Sequence, residues 1–178
     1  MKRFGTGITL LLVFAIVRDA DATSTEQYNA PGDTCHVYGI SDSAVSSSNT
    51  LTHYDYIQNT GTANLLVYCG VPVTTPVGAS VPVEYGVVSF YDGSSTASVN
   101  CVPLQRNGTT GSSVQGQSIY SCSTGGGCSS ASPSYTGYNS LNWFSGGFNL
   151  GFTSFSSAQG FLCTLAPSSK IFGTAFEN

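Results

Sequence analysis

The chain has 178 residues and a formal net charge of −4, with 8% charged, 40% hydrophobic and 12% aromatic residues. Without a basic patch, nucleic acid and anionic membrane surfaces are poor partners. The Tyr, Phe, Val and Leu content is too high for a disordered chain, despite the abundant Ser and Gly.

In chain order, the first element is an export signal. Lys2 and Arg3 precede an apolar run, Ile8 to Val17, that is too short to span a bilayer as a helix. Ala20-Asp21-Ala22 fits a small-x-small cleavage site, so residues 1–22 read as a secretory signal peptide. No cysteine at that point supports a lipid anchor, and no later segment is long and apolar enough to span a membrane. Residues 23–33 read as a flexible amino-terminal segment, and 34–178 as one domain large enough to bury a core. After residue 22 the strong cations are Arg106 and Lys170, against seven acids. Solubility then rests on Ser, Thr, Asn and Gly.

From residue 34 onward apolar residues recur with period two, and Gly, Pro, Asn and Ser interrupt at short intervals. The pattern predicts strands at Thr34–Tyr38, Thr52–Gln58, Leu65–Val71, Val81–Tyr91, Ala97–Leu104, Ser118–Ser121, Ser140–Phe144, Gly147–Phe152, Gly160–Leu165 and Lys170–Phe176. Asn59-Thr60-Gly61 is a turn signal. Asp92-Gly93, between two alternating runs, predicts a hairpin. Residues 106–137 form a long Gly/Ser/Thr-rich passage, an elaborated loop or hairpin. The expected fold is all-β, a disulfide-stapled two-sheet sandwich or jelly roll, with a closed barrel as the alternative.

Six cysteines in an exported chain predict a disulfide framework. Cys122 and Cys128 flank a glycine-rich loop that lets the sulfurs meet, and their spacing suits neither a redox Cys-x-x-Cys nor a zinc site. A local Cys122–Cys128 bridge is therefore expected. Cys69, Cys101 and Cys163 fall on the apolar parity of their strands, beside Val67, Val99 and Phe161. Several completions remain open. Cys35–Cys69 with Cys101–Cys163 is the expected one, since Cys101 and Cys163 both sit mid-strand and can bridge the core.

The order "HYDYIQNTGTANLLVYCGVPV", "GVVSFYDGSSTASVNCVPL" and "GFLCTLAPSSKIFGTAF" resembles a broad group of small secreted bacterial, cysteine-containing β-sandwich proteins of unassigned function. The match spans roughly residues 34–176 on loose motifs. It departs at Cys69-Gly70-Val71, where proline is expected beside the cysteine, and in the added Cys122–Cys128 loop. The resemblance implies export and fold, and no catalytic residue.

Chemistry is sparse. Ser is plentiful, but no Gly-x-Ser-x-Gly elbow is present. His53 and Asp55 lie two apart on one predicted strand and form a polar surface stripe without a nucleophile or metal ligands. His36 points away from Cys35 toward solvent. Asp92 belongs to its turn, Glu84 to a strand surface, and Asp33 and Asp42 lack a dense acidic loop for calcium. Asn107-Gly108-Thr109 is a lone glycosylation acceptor. No cofactor is called for. Trp143, Tyr135 and Tyr138 are the candidate ligand-binding residues, because aromatic rings among Asn and Ser can stack on sugars. The competing expectation, favoured for Trp143, is that it fills the core. Two functions follow: a non-catalytic extracellular structural or surface-associated protein, and, as the alternative, a carbohydrate-binding module. A secreted hydrolase is a distant third. Glycan polymer or another copy of the chain are the partners this surface chemistry admits.

Overall fold

A computed structural model describes residues 27–38, 50–53, 55–71, 81–106, 110, 112–123, 126–131, 135–145, 149–151, 154–155 and 158–177. The signal-peptide reading, Asp42 and the Asn107 acceptor lie outside them. The described residues form fifteen strands and one 3-10 turn: β1 Gln27–Pro31, β2 Cys35–Val37, β3 Thr50–His53, β4 Tyr56–Asn59, β5 Leu65–Val71, β6 Val81–Pro82, β7 Tyr85–Asp92, β8 Asn100–Arg106, β9 Ser113–Gln115, β10 Ile119–Ser121, β11 Gly127–Cys128, β12 Gly137–Phe144, β13 Ser154–Phe155, β14 Ala158–Leu165 and β15 Lys170–Glu177.

Two antiparallel sheets form the expected sandwich. The first runs β12-β7-β15-β4-β3, with β1 pairing β15 beyond the end of β4. The second runs β11-β10-β8-β14-β5-β2, with β9 also on β8. β6 and β13 make a separate small ribbon. Both sheets are open paths, so the barrel alternative does not apply. Among the described residues, no helix is long and apolar enough to cross a membrane.

The core follows strand parity. In β5, Leu65, Val67, Cys69 and Val71 are buried, and in β14, Phe161, Cys163 and Leu165 are. Phe161 crosses the interior to lie 5.0 Å from Trp143 and 4.6 Å from Phe176, both on the first sheet. Gly86, facing these rings, leaves room for them. A Cβ there would come within 3.2 Å of both Phe161 and Phe176. Cys35–Cys69 joins β2 to β5, and Cys101–Cys163 joins β8 to β14. In each pair the cysteines are direct cross-strand partners. These are bridges within the second sheet, not between the sheets.

Several expectations are corrected. Residues 27–31 of the supposed flexible segment form β1, tied to β15 by backbone pairing rather than by an apolar stripe. Thr52–Gln58 is not one strand: the chain reverses between His53 and Tyr56, which face each other across the β3–β4 hairpin. His53 and Asp55 therefore do not share a strand face. Asp92-Gly93 does not turn a hairpin. β7 belongs to the first sheet and β8 to the second, so this turn carries the chain between sheets. The Asp92 carboxylate is buried inside it and accepts hydrogen bonds from Ser94 N, Val99 N and the hydroxyls of Ser121 and Ser169. Those contacts bind the crossing to β10 and to the β14–β15 turn. Asn59 plays the matching role beside it, its side chain donating to Leu165 O and Ala63 O while accepting from Gly61 N. The predicted strand at Gly147–Phe152 is not a strand over residues 149–151, where Asn149 and Gly151 have φ of 48° and 88°.

Candidate functional site

The outward face of the first sheet is built in four cross-strand rungs. Pairing of β12, β7 and β15 aligns Tyr138, Tyr91 and Lys170; then Ser140, Ser89 and Gly173; then Asn142, Val87 and Ala175; then Phe144, Tyr85 and Glu177. The two end rungs carry large rings and the two middle rungs carry small residues. Six residues separate the ends along each of β12 and β7, or about 20 Å at the rise of an antiparallel strand.

The first end is the richer in rings. Tyr138 is 70% exposed. It lies 4.8 Å from Tyr91 and stacks on Phe172 at 5.5 Å. Phe172 in turn meets Tyr56 of β4 edge-on at 5.9 Å, and the Lys170 ammonium sits 4.6 Å from the centre of the Tyr56 ring. Phe172 reaches this face through an irregularity in register. Ile171 and Phe176 both face the core, and an odd spacing of five permits that only with one extra residue between them. Phe172 is that extra residue: it points outward beside inward-facing Ile171, and Gly173 follows it onto the same face.

Beyond Phe172 the middle rungs open into a shallow depression of about 440 Å³, bordered by Val87, Ser89, Gly173, Ala175, Pro31 and Asn29. At the far end Phe144, nearly half exposed, lies 5.0 Å from Tyr85. The Tyr85 hydroxyl donates to the Asn142 side-chain carbonyl. Burial, and next the Glu177 carboxylate, push the Tyr85 hydroxyl pKa upward, so it stays a neutral donor. Glu84, Ser145 and Glu177 complete a second open depression there.

The three aromatics singled out from the sequence separate into three roles. Tyr138 is on the exposed face. Trp143 is not: it is fully buried against Phe161, and its indole N–H donates to Gln117 O at 2.7 Å. Odd-numbered β12 residues 141 and 143 face inward, and Trp143 shares the parity of Leu141. Tyr135 is half-buried, its ring against Phe90 and its hydroxyl donating to Tyr138 O at 2.9 Å. It props the strand that carries Tyr138. Phe144, noted beside Trp143 in the sequence but not chosen as a site residue, is on this face, and Tyr91, Phe172, Tyr56 and Tyr85 were missed. Parity along residues 85–91 carried the signal for Tyr85 and Tyr91.

Cys122 and Cys128, expected as a bridge, are thiols in the structure. They lie off register, Cys128 opposite Tyr120 and Cys122 just beyond the pairing of Ser121 with Gly127. The Cys122 thiol donates to Gly126 O at 3.1 Å and the Cys128 thiol to Ser130 O at 2.8 Å. The two side chains also meet in a hydrogen bond, and burial, followed by that bond, pushes the Cys128 pKa up. Among the described residues, no group of three or more His, Cys, Asp or Glu is arranged to hold a metal ion. His36 is exposed, edge-on to Tyr68 on the outward face of the second sheet.

No protein-family model matches the chain, and no curated protein or solved structure is significantly similar to it.

Proposed function

We propose that this domain is a secreted, non-catalytic binding module that holds glycan polymers against the outward face of its first sheet. The observation that carries this reading is the exposed Tyr138 ring set beside Tyr91 and Phe172. A sugar ring presents an apolar face that stacks on aromatic rings, and a rim of hydroxyls that needs donors and acceptors close by. Ser89, Ser140, Asn142 and Asn29 supply those on the same face. The scarcity of charge suits a neutral polymer. Rings about 20 Å apart, with small residues between, favour an extended chain over a compact ligand.

The two disulfides are compatible with a location outside the cytoplasm, and the amino-terminal signal pattern supports export. The motif order supports the same placement among small secreted β-sandwich proteins. Retention of the mature protein on a panel of insoluble polysaccharides, with Tyr138→Ala and Phe172→Ala beside the native chain, tests the reading. Binding weakened several-fold in both variants, with unfolding temperatures unchanged, is the expected result. Equal retention of all three would remove the face from the argument. A structural role through contact between copies is the second reading, favoured by the same exposed rings. It predicts concentration-dependent association in sedimentation that Tyr138→Ala abolishes, with no polymer retained.

A further inference from the structure

Outside the aromatic face, the hairpin β10–β11 brings two thiols together. Cys122 ends β10 and is 7% exposed, whereas Cys128, on β11, is more open to solvent. Each thiol is held by a backbone carbonyl, Gly126 O for Cys122 and Ser130 O for Cys128, and the two side chains touch. The other four cysteines are locked in strand register inside the second sheet, with sulfur-bearing residues 0–4% exposed.

We propose that Cys122 and Cys128 are a redox-labile pair that closes to a third disulfide by exchange with a small-molecule disulfide and reopens with excess thiol, while the two core bridges do not exchange in the folded protein. The roles follow from exposure, and the raised pKa of Cys128 leaves only a small thiolate fraction to react. The Cys128 thiolate attacks the oxidant RSSR, forms a mixed disulfide and expels one thiolate, which takes up a proton. The Cys122 thiolate then attacks the Cys128 sulfur and expels the second thiolate. The balance is two protein thiols and one RSSR giving one protein disulfide and two RSH, two electrons passing to the oxidant. Cys122, shielded from solvent but in contact with Cys128, suits the resolving role.

The pair sits where closure has a structural consequence. Gly127 lies between the two cysteines, and a Cβ on it would approach Leu141 Cα and Asn142 N of β12 within 3.5 Å. Ser121, next to Cys122, holds the buried Asp92 carboxylate. The bridge therefore fastens the edge of the second sheet at the seam with the first.

The test uses the folded mature protein, treated with a mild reductant that is then removed. Thiols are counted with a chromogenic reagent before and after glutathione disulfide, and unreduced peptides are mapped by mass. Two titratable thiols per chain that disappear on oxidation, with one new peptide joining Cys122 to Cys128, are expected. In Cys122→Ser, glutathione should remain trapped on Cys128. The proposal is overturned by glutathione persisting on Cys128 in the native chain, by thiols that survive the oxidant, by a bridge joining two chains, or by core cysteines that appear among the titrated thiols. A Cys122–Cys128 bridge that resists the reductant in the folded protein equally overturns it.

Discussion

The two faces of the first sheet use the same strands and nearly the same residue types for opposite ends. On β12, Trp143 is fully buried while Tyr138, five residues away, is 70% exposed. On β7, Phe90 is in the core and Tyr91 is on the outer face. The inner rings fill space between sheets, where Trp143, Phe161 and Phe176 lie ring against ring. The outer rings form two groups at opposite ends of the face, Tyr138 with Tyr91, Phe172 and Tyr56 at one end and Tyr85 with Phe144 at the other. An aromatic residue in this chain is thus assigned by its parity along the strand, not by its neighbours in sequence.

The largest effect should come from the inner face. Trp143→Ala removes the largest buried side chain and orphans Gln117 O, and should cost about 3–5 kcal/mol of stability by denaturant unfolding, with retention per folded molecule unchanged. Retention lost without destabilisation would reverse the assignment of the two faces. Next, replacing Cys101 and Cys163 together by Ala, across the core on the second sheet, should cost about 2–4 kcal/mol. Differential unfolding of the double variant reads it.

Asp92 sharpens the comparison, because it is a carboxylate on the inner face. Asp92→Ala removes the carboxylate acceptor from the Ser121 and Ser169 hydroxyls and from Ser94 N–H, while Val99 N–H keeps Ser121 Oγ at 3.1 Å, and should destabilise by about 1–3 kcal/mol. An unchanged melting temperature would mean that the crossing between sheets holds without it. The smallest stability effect belongs to the outer face. Tyr138→Ala should shift stability by no more than about 0.5 kcal/mol. The same change should weaken glycan retention roughly fivefold, the worth of one stacked ring at about 1 kcal/mol. Isothermal titration with a soluble oligosaccharide of a retained polymer measures it.

Much of the core was legible because burial in a strand obeys period two. Leu65–Val71 shows that pattern in the sequence and is β5 with the same bounds. The same parity put Cys69, Cys101 and Cys163 inside and made a Cys101–Cys163 bridge plausible, although which cysteines meet depends on strand order. Other features were illegible for definite reasons. Gln27–Pro31 joins β15 through backbone hydrogen bonds, which leave no apolar signature. Asp92-Gly93 has the chemistry of a tight turn, and that chemistry is the same whether the next strand stays in the sheet or leaves it. The candidate face was half legible: Tyr138 was found, but its partners Tyr91 and Phe172 come from other strands.

By itself the sequence determined the all-β class, the inward set of each long strand, and the low-charge, ring-rich surface, because these depend on local periodicity and composition. Tertiary structure alone decided which strands became neighbours, and with that every cross-strand relation. It placed Cys35 opposite Cys69 and Cys101 opposite Cys163, set Cys122 and Cys128 off register, and shifted β15 so that Phe172 meets Tyr138. The physical reason is that strand order and register are set by how the two sheets pack their inner faces and by non-local backbone pairing. Neither is encoded in any one segment.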